Sequence, residues 1–153
     1  MSQPQLNSLY QQLILDHYRN PRNKGEDPDA TTERHMRNPV CGDEIKLQLQ
    51  VHDGVITAAH FTGQGCSISQ ASVSMMTKLL KGKTVEEALE LSDRFSDLMR
   101  GDEAAARDRS LGDLRALQGV ANFPVRIKCA LLGFDGLKEA LGVGSEGDED
   151  GGS

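Results

Sequence analysis

Apolar positions repeat with two periods along this chain of 153 residues, and each change of period marks an element. Leu6, Leu9, Leu13, Ile14 and His17 recur at three- and four-residue steps, which predicts an amphipathic helix over about residues 5–19. Asn20-Pro21-Arg22-Asn23-Lys24-Gly25 ends it, because proline and glycine interrupt helical pairing, and residues 24–33 read as a polar loop. From Ile45 the period falls to two. Ile45, Leu47, Leu49 and Val51 alternate with Lys46, Gln48 and Gln50, the pattern of a strand with one buried face. His52-Asp53-Gly54 supplies a turn, and Val55 to Thr62 reads as the returning strand. A further strand is expected around Glu33–Arg37. His17 lies on the apolar stripe of its helix and reads as a packed or capping side chain, whereas His52 and His60 read as surface histidines of the hairpin.

Helical spacing returns after Gly63-Gln64-Gly65-Cys66. Ile68, Ala71, Ser72, Met75, Met76 and Leu79 share a face, and Gly82 is a natural stop. Thr84-Val85-Glu86-Glu87 is a capping-box signature for a short helix through Leu91. A separate helix is expected over residues 92–100, a charged exposed stretch over 101–110, and a short helix from Ser110 to about Gln118. Pro124 suits the first turn of a last helix running to about Leu141. Helix, strands, then helices predict an α+β fold, with a small antiparallel sheet of about three strands packed against several helices. The expected organisation is one domain over residues 1–143, followed by a disordered acidic tail over 144–153.

Composition narrows the function classes without naming one. Hydrophobic residues make up 37% and charged residues 26%, as expected for a soluble globular protein. No apolar run approaches the roughly 18–20 residues that cross a bilayer, so no membrane role is expected. The start, MSQPQLN, has neither the basic region nor the apolar stretch of a secretory signal, which predicts a cytoplasmic protein. The net charge of −6 includes four acids in the last ten residues, there is no tryptophan, and aromatics make up 4%. Nucleic acid is therefore not expected as a partner, because phosphate recognition needs a basic patch.

Three cysteines, Cys41, Cys66 and Cys129, are an odd set with no export signal, which excludes a disulfide framework. Their separations of 25 and 63 residues match no zinc-finger spacing, and one such cysteine alone is equally well a small buried apolar residue. Their settings say more. Gly42 permits a tight turn that aims Cys41 and Asp43 at one point; alone, Asp43 would read as a turn-forming acid. Cys66 follows Gly-Gln-Gly and opens a helix, whose free amides and partial positive charge favour thiolate. Cys129 lies near another helix start, after Arg126 and Lys128, either of which can offset the charge of clustered thiolates. Three thiolates and one carboxylate match zinc's preference for four ligands. Iron–sulfur clusters accept similar sets, so the count leaves the metal open.

The segments NPVCGDEIKLQL, FTGQGCSISQASVSMM, KGKTVEEAL and FPVRIKCALLGFDGLKEAL, with DHYRNPRNKG near the start, resemble the IscU/NifU-N family, most closely its SufU branch. The resemblance runs from about residue 5 to 142 and implies an IscU/SufE-like fold. Lys128 stands directly before Cys129, where scaffold members of the family carry a histidine, and the stretch from about Arg94 to Gln118 looks like the insertion of the SufU branch. The resemblance thus implies a zinc-dependent sulfurtransferase in iron–sulfur cluster assembly, with Cys41, Asp43, Cys66 and Cys129 as Zn²⁺ ligands. The alternative is a scaffold on which an iron–sulfur cluster is built. The implied partners are a SufS-type, pyridoxal-phosphate cysteine desulfurase that supplies persulfide, and a SufBCD-type complex that receives the sulfur. A closed four-ligand zinc site is inert, so one ligand must leave. Cys41, on its glycine-flanked loop, is the expected acceptor, its place taken in the family by a desulfurase histidine. Arg126 reads as a solvated helix residue, with steering of the desulfurase as the other reading.

Overall fold

The computed structural model describes residues 3–142, so the expected acidic tail lies outside the described residues. In chain order come α1 (Gln3–Arg19), β1 (Thr32–Asn38), β2 (Asp43–His52), β3 (Val55–Gln64), α2 (Ser67–Leu80), α3 (Val85–Met99), the single turn α4 (Glu103–Ala106), a 3-10 segment (Arg109–Asn122) and α5 (Pro124–Ala140). The strands form one antiparallel sheet in the order β1-β2-β3, an α+β arrangement as expected.

Register decides which face is buried. Leu47 lies opposite Phe61, Leu49 opposite Ala59, and Met36 opposite Ile45, so the alternating apolar residues stack on one side. Helices α5 and α2 cover that side, α5 across β1 and β2 and α2 against β3. Phe61, Phe95, Phe134, Ile45, Leu47, Met75 and Met76 are fully buried between them. Phe95 of α3 stacks on Phe134 of α5, with ring centroids 4.6 Å apart. This contact ties the outer helix to the central one. No described helix is long and apolar enough to cross a membrane.

Three expectations need correction. Residues 85–99 form one helix, not two. Thr84 and Glu87 make the expected reciprocal cap, but Ser92 does not break the helix. It is buried on the same face as Ala88, Leu91, Phe95, Leu98 and Met99, and burial of that stripe overrides the weak helix preference of a Ser-Asp pair. Residues 101–110 are not uniformly exposed, because Ala105 of α4 is fully buried. The helix expected from Ser110 is a kinked 3-10 segment instead. Gly112 makes the kink at φ 52°, where a Cβ would lie 3.3 Å from Leu79, so the bend keeps Leu111, Leu114 and Leu117 in the core.

The histidines divide. His52 is exposed as expected, but His60 is half-buried, its Nδ1 3.4 Å from an oxygen of Asp27. His17 is fully buried and bonded through Nδ1 to Ser74 Oγ (2.8 Å) and through Nε2 to Asp113 Oδ2 (2.9 Å). Burial lowers its affinity for a proton below the ordinary 6.5, although the hydrogen bond to Asp113 works the other way. The unfolded chain therefore binds this proton more readily than the folded one. The stability that His17 contributes is fully present above pH 6.5 and is lost as pH falls through its lowered value. Urea midpoints measured from pH 7.5 downward are expected to drop across this window in the parent protein and to drop less in His17→Gln. Equal slopes would exclude His17 as the source.

Candidate metal centre

Two sharp backbone features and two helix starts converge at one end of the sheet. Between β1 and β2 the chain turns at Asn38, whose carbonyl accepts from the Cys41 and Gly42 amides at 3.2 and 2.8 Å. Gly42 completes the turn at φ 73°, a left-handed conformation that a side chain disfavours. The turn places Cys41, part-exposed, two residues before Asp43, which is buried at the start of β2. At the end of β3, Gly65 holds a positive φ of 150° and packs directly against Asp43.

Cys66 then caps α2. Its own N–H donates to Asp43 Oδ1 at 2.8 Å, and its Sγ accepts from the Ser69 N–H at 3.5 Å. The Cys66 sulfur lies 3.7 Å from Asp43 Oδ2. Cys129 comes from α5 and is fully buried, 3.9 Å from Asn38 Nδ2 and 3.1 Å from the Cys41 sulfur. All three cysteines are free thiols.

The structure brings the four residues singled out by the sequence to one place, though not equally. Ligand atoms of Cys41, Asp43 and Cys129 all lie within 4.8 Å of one another. Cys66 stands just outside that group and joins it through Asp43. A tetrahedral zinc with Zn–S bonds of about 2.3 Å holds its sulfurs about 3.8 Å apart. The Cys41 and Cys129 sulfurs, 3.1 Å apart, and a three-residue group spanning no more than 4.8 Å are of the size that a zinc ion joins.

The electrostatics call for a cation. Burial pushes the Cys129 thiol well above its ordinary range, and hydrogen bonds with Cys41 and Asp43 and the nearby Cys66 push the same way. Without a positive charge beside it, the Cys129 thiol stays protonated. Arg126 supplies one such charge. Its guanidinium is held protonated by a hydrogen bond to Cys129 and by the fields of Cys66, Cys129 and Cys41. Arg126 is exposed on α5, as a solvated helix residue should be, and its charge also acts on the thiols. The signal was present in the spacing, since a residue three before Cys129 shares its helix face. Lys128, one residue before it, is exposed.

A cavity of 590 Å³ opens beside Cys66, between α1, the 3-10 segment and the start of α5. Tyr10, Ile14, Ile68, Val120 and Phe123 line it, and Arg126 stands at its edge. Val40, Phe123 and Val125 carry large exposed apolar surfaces around the same end of the molecule, 81, 62 and 65% exposed. Apolar area of this kind on a surface marks a contact region.

Comparison with known proteins places this arrangement. The chain is 50% identical over 138 residues to the zinc-dependent sulfurtransferase SufU of Bacillus subtilis, covering 89% of this chain and 91% of that one. It is 43% identical to the iron–sulfur cluster assembly scaffold protein IscU of Streptococcus pyogenes, covering 92% and 87% of the two chains. A crystal structure from Fervidobacterium islandicum, presented as a scaffold candidate for the SUF system, superposes with a TM-score of 0.78 at 34% identity, covering 84% of this chain and 93% of that one. Residues 9–130 match the NifU-like N-terminal domain. The chain belongs to that family.

Proposed function

We propose that this protein is a zinc-dependent sulfur carrier for iron–sulfur cluster assembly, taking sulfur from a SufS-type cysteine desulfurase and delivering it to a SufBCD-type complex. The observation that carries the reading is the convergence of Cys41, Asp43 and Cys129 into a zinc-sized set, with the free thiol of Cys66 beside Asp43. The half-identical zinc-dependent relative supports it. In this reading Cys41, Asp43, Cys66 and Cys129 hold Zn²⁺, residues 1–143 act as one unit, and the protein works in the cytoplasm. Bound zinc supplies the positive charge that keeps buried thiols as thiolates.

The three thiols have different freedoms. Cys129 is fully buried in α5, and Cys66 caps α2 with its amide on Asp43. Cys41 is part-exposed on a turn, next to the exposed Val40. Cys66 is part-exposed as well, but moving its sulfur gives up the Ser69 N–H bond that caps α2, so we assign Cys41 as the acceptor. The Cys41 thiolate attacks the outer sulfur of the desulfurase persulfide. A new S–S bond forms on Cys41, the old S–S bond breaks, and the desulfurase cysteine leaves as thiolate. No outside oxidant or reductant is consumed. Arg126 faces the thiols with a fixed positive charge, suited to the anionic sulfurs exchanged there. The apolar residues Val40, Phe123 and Val125 offer the desulfurase a docking surface around the exchange.

The test is metal content together with sulfur transfer. Protein purified without chelator is expected to carry about one zinc per chain, as one four-ligand site requires. It is also expected to take up radiolabelled sulfur from a desulfurase charged with labelled cysteine. Iron and sulfide in place of zinc, with transfer of a cluster to an apo-acceptor, would instead support the scaffold reading suggested by the Streptococcus relative.

A further inference from the structure

A second cavity, of 420 Å³, lies at the other end of α2. Helix α2 has 14 residues, so its last turn stands about 20 Å from Cys66. Four of the residues lining this cavity carry or can carry positive charge, namely Arg22, His60, Lys78 and Lys81. Asn23 and Thr77 add neutral donors, and neither aspartate nor glutamate lines it. In a chain of net charge −6 this is an uncommon concentration.

The walls are preformed. Arg22 N–H donates to Ser74 Oγ at 2.8 Å, and Asn23 Nδ2 to Thr77 Oγ1 at 3.3 Å, which pins the loop after α1 to α2. Asn23 takes a left-handed φ of 64° and swings the loop onto the edge of β3. There its carbonyl accepts from Phe61 N–H at 3.1 Å, and Gly25 N–H donates to Phe61 O at 2.8 Å. Further along the same edge, Ile56 is bonded to Lys83 O and to Gly82 N–H, both at 2.8 Å.

Ala59 lies between these two covered stretches. Leu49, its partner in β2, directs its carbonyl to Thr31 on the β1 side, so Leu49 and Ala59 are not hydrogen-bonded to each other. Phe61, two residues on, likewise bonds away from β2. The Ala59 N–H and C=O therefore both face the open edge. Ala59 is 4% exposed and lines the cavity, and among the described residues no group is bonded to its outward amide. An edge amide that opens into a cavity offers a donor to whatever fills it.

Some of the cations have other work. Arg22 also pairs with Asp16 at 2.8 Å, and Lys78 with Asp113 at 3.0 Å. Both lysines offset the negative end of the α2 dipole. Lys81 has no ion pair among the described residues, and dipole compensation leaves the Ala59 amide unexplained. His60 lines the cavity, with Nδ1 3.4 Å from an Asp27 oxygen but not hydrogen-bonded to it.

We propose that this cavity binds a small phosphate monoester carrying a hydroxyl, with the phosphate received by Lys81, Lys78 and the Ala59 N–H, and the hydroxyl by the Ala59 carbonyl. The volume exceeds that of a bare phosphate and lies in the range of small-molecule sites. No aromatic side chain lines it, so a nucleobase has nothing to stack on.

Amide spectra of isotope-labelled, metal-loaded protein test this at low salt, with glycerol phosphate, inorganic phosphate and glycerol as probes. Glycerol phosphate is expected to give saturable shifts at Asn23, Ala59, His60 and Lys81, and to bind more tightly than inorganic phosphate. Glycerol alone is expected to give none. Lys81→Glu should weaken binding about tenfold or more, as loss and reversal of a charge-assisted contact requires, and Lys81→Ala should weaken it less. Absence of saturable shifts, shifts confined to the surroundings of Cys66 and Cys129, or equal binding by Lys81→Glu would each overturn the proposal. So would equal affinity for inorganic phosphate, for the part assigned to the hydroxyl.

Discussion

Cys41→Ala is expected to abolish acceptance of persulfide sulfur while leaving the fold in place. The side chain is part-exposed on a turn and fills no core position, so its removal leaves no buried cavity. What disappears is the nucleophile. Loss of a covalent nucleophile lowers a rate on the order of 10³-fold or more. The measurement is the initial rate of label transfer from a charged desulfurase to this protein, with circular dichroism as the check on folding. Cys129→Ala is the comparison: it is also expected to lose transfer, but with a cost in stability, because Cys129 is fully buried. Transfer by Cys41→Ala at the parent rate would remove Cys41 from the acceptor role and move attention to Cys66, which borders the larger cavity.

Gly65→Ala carries the second large effect, and it acts on the metal set without touching a ligand. A Cβ at this position would collide with Asp43 Oδ1 and lie 2.9 Å from Asp43 Cα and 3.0 Å from Ser69 Oγ. The backbone φ of 150° adds strain for any side chain. Asp43 must shift, and the 2.8 Å bond from Cys66 N–H to its carboxylate breaks. The expected result is a protein with little bound zinc and a stability lower by about 1–3 kcal/mol, the cost of a strained residue. Metal analysis and urea unfolding check both parts. Gly119→Ala serves as control, since a Cβ there meets nothing within 4 Å. If Gly65→Ala held the parent amount of zinc, the close approach of Gly65 would not be what positions Asp43.

The arrangement also explains why this family member tolerates so exposed an apolar end. Val40, Phe123 and Val125 lie close in sequence to Cys41 and Cys129 and are poor choices for a free surface. The docking surface proposed above accounts for their exposure.

Local patterns in the chain were enough for most elements, because the strands and helices are stabilised by the same apolar stripes that reveal them. Alternation from Ile45 to Val51 set the buried face of the sheet, and Thr84 with Glu87 set the start of α3. The division of α3 at Ser92 failed because a serine looks like a cap until its burial among Leu91 and Phe95 is known. The bend at Gly112 failed for the same reason, since Leu79, which requires the glycine, is 33 residues away in sequence.

The candidate site divides along the same line. Turn glycine, helix start and thiol are neighbours in the chain, so residue order alone marked Cys41 with Asp43, Cys66 and Cys129 as a set suited to charged sulfur. Distance between them is another matter. That Cys41 meets Cys129 at 3.1 Å across 88 residues depends on α5 packing over β1 and β2. That Asp43 bonds the Cys66 amide depends on β2 and β3 pairing in register. Arg126 joins the thiols, and the Ala59 amide faces an open edge, through the same long-range packing. Chain order carries the kinds of chemistry available, because conformational preference is local. Tertiary packing decided which of those groups share a charge, because Coulomb and hydrogen-bond energies depend on separations that only the folded chain has.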